Sequence, residues 1–161
     1  MSIKSGIISQ YHASLAMLQQ VVADCPPELW DSPDHKNRCW NVAAHALFYA
    51  HFYLHPSAQE FKPWTGIHLD GRILDHDIEG EDRQIASQAD ILDFIEFLEG
   101  QVNPMVEALD LDAESGFDWL PFNKLELQLY NIRHIMLHTG ELAERLWQSA
   151  GIEARWVGKG K

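Results

Sequence analysis

The chain has 161 residues, 46% of them hydrophobic and 22% charged, with a formal net charge of −12. That is the size and make-up of one ordinary folded domain and excludes a disordered or fibrous chain. No apolar run approaches the roughly 20 residues of a membrane helix, and the negative charge repels phosphate backbones, so neither membrane spanning nor nucleic-acid binding is supported.

The first periodic segment runs from about Ser2 to Asp24, with Ile7, Ile8, Tyr11, Leu15, Leu18 and Val22 on one stripe. Polar residues interleave through its start, which reads as a mature helix and not as a signal peptide. Cys25-Pro26-Pro27 ends it, because proline cannot continue the hydrogen-bond ladder. A second helix is expected from Asn41, as N-cap after Trp40, to about Leu54 before Pro56. The third opens on Ser87-Gln88-Ala89-Asp90, a capping-box pattern, and continues to about Leu109, with Gly100 and Pro104 predicting a kink or a short break. The fourth opens on Asn123-Lys124-Leu125-Glu126 and runs to about Ala150, where Gly151 supplies the stop. No alternating strand pattern of useful length occurs. The fold expected is therefore all-α in a single domain covering residues 1–161, a four-helix bundle. The link from about Pro56 to Ala86 is far longer than ordinary bundle loops, which fits one long crossover between the second and third helices.

Glu60 to Asp118 hold 16 acidic and 3 basic residues, read as a solvated acidic face. Cys25 and Cys39 are the only cysteines. With no C-x-x-C pair and no export signal they are expected as free thiols in a cytoplasmic protein.

Nine histidines are present, and helical phase at about 100° per residue sorts them. On the second helix, Asn41, Phe48, Tyr49 and Phe52 fall within about 60° of His45, which is expected to share their core-facing stripe. His51 and His55 fall on the flank or the solvent side and are expected exposed. On the fourth helix, His134 and His138 are one turn apart, the spacing that aims two imidazoles at one ion. Leu127, Tyr130, Asn131, Glu141 and Arg145 share their stripe, with Ile135, Leu142 and Leu146 on one flank and Leu137 on the other. Such a stripe is expected to point into the bundle, where unpaired imidazoles cost free energy and a metal ion would satisfy several at once. Hydrogen-bonded core histidines would give the same spacing. Three neutral imidazoles plus water, by contrast, make a four-coordinate site open to chemistry.

Trp40-Asn41-Val42-Ala43-Ala44-His45 resembles the W-S-x-x-x-H opening of the second helix in the DinB/YfiT-like superfamily. Asn131-Ile132-Arg133-His134-Ile135-Met136-Leu137-His138-Thr139-Gly140-Glu141-Leu142 resembles the N-x-R-H-x-x-x-H-x-G-(E/Q)-L segment of its fourth. Asn41 stands where that family often has Ser. The resemblance implies a divalent metal, zinc or nickel, on His45, His134 and His138, and a homodimer acting on a small-molecule substrate. Some members are thiol transferases using a low-molecular-weight thiol such as bacillithiol or mycothiol as cosubstrate; others are described as metal-dependent hydrolases. The alternative is a non-catalytic, stress-related metal-binding bundle.

Glu141, one turn past His138, is the catalytic candidate, as proton acceptor or as carboxylate partner of His138; an ion pair with Arg145 is the competing role. Tyr49, Tyr130 and Asn131 could line the pocket, and His12 could approach from the first helix. A di-iron bundle needs Glu-x-x-His and a zincin His-Glu-x-x-His, and neither occurs. Asp75 to Gly80 imitates half of an EF-hand loop, but Ala86 stands where the bidentate Glu belongs. Haem held by two histidines is compatible with the spacing.

Overall fold

The computed structural model describes residues 2–67 and 85–160. Among them the regular structure is helical: α1 (Ile3–Ala23), α2 (Pro27–Trp30), α3 (Cys39–Phe52), α4 (Gln88–Ala108) and α5 (Lys124–Ala150). The β structure among the described residues is one antiparallel bridge, Glu114 to Asn123. No described helix is long and apolar enough to cross a membrane. Residues 68–84, which include the EF-hand-like stretch and the middle of the long connection, lie outside the described residues.

Local chemistry sets most helix ends. Ser2 Oγ accepts the Ser5 N–H at 3.0 Å at the start of α1. Ser87 and Asp90 exchange hydrogen bonds as a full capping box at the start of α4. Asn123 Oδ1 accepts the Glu126 N–H at 2.9 Å to open α5, and Gly151, at φ 66°, closes it in the left-handed region where a side chain is strained. α4 is a single helix through Gly100 and Pro104, so the expected break is absent. The two prolines after α1 do more than stop it: Pro27 opens the short α2, since its missing N–H is one a first turn leaves unpaired anyway.

α3 begins two residues before the expected cap. Its N-cap is Arg38, and Asn41 is not a cap but a buried residue of the first turns, 2% exposed. The helix start is fixed from a distance: the Trp40 indole N–H donates to Asp31 Oδ1 at 2.8 Å while its ring is buried.

α1 packs against α4 and α5, and α3 packs against α5 and α4. Tyr11, Leu15, Leu18, Trp40, Leu47, Ile91, Ile95, Leu98 and Ile135 fill the space between them, all essentially inaccessible. Each large apolar side chain so buried contributes about 1.5–3 kcal/mol. A polar network crosses this core and fixes the helices against one another. Tyr11 Oη donates to Gln128 Oε1 at 2.7 Å and accepts Asn131 Nδ2 at 2.8 Å; Asn131 Nδ2 also reaches the Ala50 carbonyl at 3.0 Å. A buried network of this kind tolerates few registers, and here it fixes α5 against α3 one turn from His134.

The chain after α3 is pinned as well. The buried Lys124 ammonium donates to the carbonyls of His55, Pro56 and Ser115. Gly116, at φ 80°, lies where a Cβ would sit 2.1 Å from the Pro56 carbonyl oxygen, so only glycine lets these two stretches close together.

Candidate metal centre

His45 comes from the middle of α3, and His134 and His138 from successive turns of α5. The register set by Asn131 brings the three together: one nitrogen from each lies within 4.8 Å of the others. The His134 and His138 ring centroids are 4.6 Å apart, and those of His45 lie 5.3 and 5.0 Å from them.

The nitrogens are oriented as well as close. His138 Nδ1–H donates to Glu141 Oε2 at 3.1 Å, which leaves the Nε2 lone pair facing His134 Nε2 at 3.2 Å. A tetrahedral ion with its nitrogens about 2.0–2.1 Å away holds its ligands roughly 3.3 Å apart, so this pair already has the spacing a metal needs. Burial, reinforced by His138 and His45, pushes the His134 pKa down to about 3, so its imidazole is neutral and available as a ligand. Its Nδ1 is buried without a partner among the described residues. Three imidazoles facing one another suit a borderline divalent cation, and the donor set fits.

The centre sits differently from the sequence expectation. Ala43, Leu47 and Ala50, fully buried, lie about 140–160° around α3 from His45. His45 is therefore not on the core stripe. It and His134 are half-buried, and Leu137, expected as an inward flank, is 65% exposed. The centre lies at an open edge between α3 and α5 and not in a closed interior.

Glu141 holds both of its neighbours. One oxygen accepts from His138, and Oε1 accepts Arg145 Nη2 at 2.6 Å. The hydrogen bond from His138 and the Arg145 guanidinium outweigh its partial burial and hold its pKa below the usual carboxylate value. A carboxylate so engaged orients an imidazole better than it accepts a proton. Arg145 also donates through Nη1 to the Asn37 carbonyl at 2.7 Å and reaches Cys39 Sγ at 3.9 Å. This ties the α5 side of the centre to the start of α3. Cys39 and Cys25 are buried free thiols that contact each other, with the Cys39 thiol acidified by the Cys25 hydrogen bond and Arg145. Nothing in their spacing predicts that meeting.

Tyr49 stands edge-on to His45 and His134, at 5.0 and 5.4 Å, and forms one wall. Beyond it the aromatic packing continues through the buried Tyr53 and then Phe52 to the exposed Trp119. Tyr130 packs on Tyr53 and Phe122, and Asn131 serves the core network. His12 pairs with Asn103 on α4 at 2.7 Å and takes no part in the centre. His51 and His55 are not exposed: they are 3% and 8% accessible. Comparison with protein-family models, with curated proteins and with solved structures returns no match to this chain.

Proposed function

We propose that the chain is a metal-dependent enzyme of the DinB/YfiT-like four-helix-bundle type, holding one divalent cation, zinc or nickel, on His45, His134 and His138. The observation that carries the reading is the His134–His138 Nε2 pair at 3.2 Å with a third imidazole alongside and a carboxylate fixing the tautomer. The half-buried edge favours catalysis over a purely structural site, since structural zinc is usually closed by four protein ligands.

A cation held there supplies Lewis acidity, lowering the pKa of a bound thiol or water so that it acts as a nucleophile near neutral pH. The chain's own residues do the rest. Glu141 holds His138 in the ligating tautomer, Arg145 holds Glu141 ionised, and Tyr49 shields one side of the imidazoles. The two reactions in view are transfer of a low-molecular-weight thiol to an electrophile and hydrolysis of an acyl or amide carbon. The dimer implied by the resemblance has a candidate surface in the exposed Leu129, Leu137 and Trp147 of α5.

Metal analysis of purified protein is the first test: about one equivalent of zinc or nickel is expected, lost in His134→Ala. Wild-type protein that stays metal-free after supplementation overturns the reading. Metal-loaded protein incubated with a low-molecular-weight thiol and an alkylating electrophile then separates the reactions. Turnover absent from His45→Ala supports the transferase; turnover of an ester without thiol supports the hydrolase.

A further inference from the structure

α5 carries two stripes. Leu127, Ile135, Leu142 and Leu146 are buried on the side that packs against α1 and α3. About half a turn around the helix, Tyr130, Arg133, Leu137, Gly140, Glu144 and Trp147 follow one another at alternating spacings of three and four residues. That alternation is the seam pattern of two helices packed along their length, yet here it faces outward. Leu137 is 65% and Trp147 53% exposed, and Arg133, Gly140 and Glu144 are exposed as well. A single exposed apolar residue needs no explanation, but these two share one stripe with a vacant hole.

The hole is at Gly140. This residue stands in the middle of a 27-residue helix with open space where its Cβ would be, although glycine weakens a helix relative to alanine. A depression of about 350 Å³ opens beside it, with Gly140, Ala143, Glu144 and Trp147 on one side and residues 152–154 on the other. Those four are spaced i, i+3, i+4 and i+7, the set that accepts one side chain from a facing helix. The charges on the stripe are uncommitted too. Arg133 lies over the Tyr130 ring at 5.5 Å and Glu144 accepts Gln148 Nε2 at 2.8 Å, and neither has an ionic partner among the described residues.

The order of these residues fits one occupant. A second α5 laid antiparallel on the first, with Leu137 of each copy over Gly140 of the other, puts Arg133 opposite Glu144 and Tyr130 opposite Trp147. A two-fold axis makes every contact twice. Arg133 of one copy then enters the hole of the other, where Glu144 supplies the counter-charge and the exposed indole a face for the guanidinium. A parallel pair in register would set Arg133 against Arg133 and Glu144 against Glu144, which charge repulsion opposes.

We propose that the outer face of α5 docks antiparallel on the same face of a second copy of this chain, through Leu137–Gly140 and Arg133–Glu144 contacts. This gives the dimer named above its surface and its register, and it is read from α5 alone, with no part played by the metal. His134 and His138 lie about 90–130° around α5 from the middle of the seam, so the pairing does not run over either metal centre.

Sedimentation equilibrium of the full chain at low ionic strength, over a series of concentrations, reads the association. A dimer is expected. Arg133→Glu and Glu144→Arg each set like charges opposite one another twice and should weaken it by roughly tenfold or more. The variant carrying both changes should return towards wild-type affinity, and Leu137→Glu should leave a monomer. These side chains are exposed, so an unchanged helical circular-dichroism spectrum and unfolding midpoint are expected throughout. A wild-type chain that stays monomeric overturns the proposal, as does a dimer indifferent to all three single changes. So does a double reversal as weak as the single ones. Metal content is measured on the same wild-type protein: a dimer without metal leaves the seam standing and removes the metal reading, and metal in a monomer does the reverse.

Discussion

Two histidine groups, each with one member on α3, differ in every respect that matters to chemistry, although the same residue type builds both. His45 joins two imidazoles from another helix at a half-buried edge, with a carboxylate fixing one tautomer and nitrogens facing nitrogens. His51, in the last turn of α3, and His55, just past its end, sit in an aromatic enclosure. His55 spends both ring nitrogens on backbone groups, and His51 Nδ1 has no partner among the described residues. An H-x-x-x-H spacing therefore says little by itself. What separates a ligand set from a packed pair is where the second nitrogen of each ring goes.

The largest effect that can break this contrast is on metal affinity. His134→Ala removes one of three ligands and is expected to weaken binding of zinc more than the 10–100-fold that loss of an outer partner costs. His55→Ala is expected to leave metal content unchanged. Competition with a chromophoric chelator measures both. A His55→Ala protein that loses its metal would show that the two groups had been assigned the wrong way round.

The next contrast is in acid. His51, with a folded pKa of about 4 against 6.5 unfolded, stays neutral where the unfolded chain takes up a proton. Above pH 6.5 neither state is protonated there and the group is silent. As pH falls from 6.5 towards 4, the unfolded state binds the extra proton and stability is lost, by about 3 kcal/mol over the whole window. His55 is the titratable group beside it; the other rings around His51, Phe61, Phe94 and Phe97, do not titrate. Urea unfolding at intervals across the window should give a shallower loss for His51→Phe than for wild type. Parallel curves for the two proteins would mean that His51 is protonated in place.

The sequence reads well where structure is decided locally and poorly where it is decided at a distance. Ser2, Ser87, Asn123 and Gly151 cap helices within a few residues of themselves, so α1, α4 and the 27-residue α5 fall where their patterns put them. The start of α3 depends on the Trp40–Asp31 contact, which no local pattern encodes. Helical phase failed on α3 for a related reason. Phase arguments assume one buried face, but ten of its fourteen residues are buried, so flank positions such as His51 are inside. The same argument named His45 for a reason the fold does not support, since the core lies on the opposite side of the helix. His134 and His138 were more legible, because one turn of one helix fixes their separation wherever the helix packs.

Within the metal centre, Glu141→Ala is expected to lower metal affinity by about 10–100-fold, by freeing His138 Nδ1, while Glu141→Gln keeps an acceptor and recovers most of it. Unchanged affinity in Glu141→Ala would leave the carboxylate as nothing more than a partner for Arg145.

Arg145 should give the smallest effect, and its size is informative. One guanidinium nitrogen holds Glu141 at 2.6 Å while the other holds the Asn37 carbonyl at 2.7 Å and approaches Cys39. Lysine keeps the charge but not the fork, so Arg145→Lys can hold Glu141 or Asn37 but not both. If Arg145 only steadies Glu141, affinity for zinc should fall by roughly threefold, within the range of one modest hydrogen bond, and stoichiometry should be retained. A loss as large as that in Glu141→Ala would mean that the carboxylate cannot hold His138 without its anchor. The metal centre would then depend on the junction between the two helices.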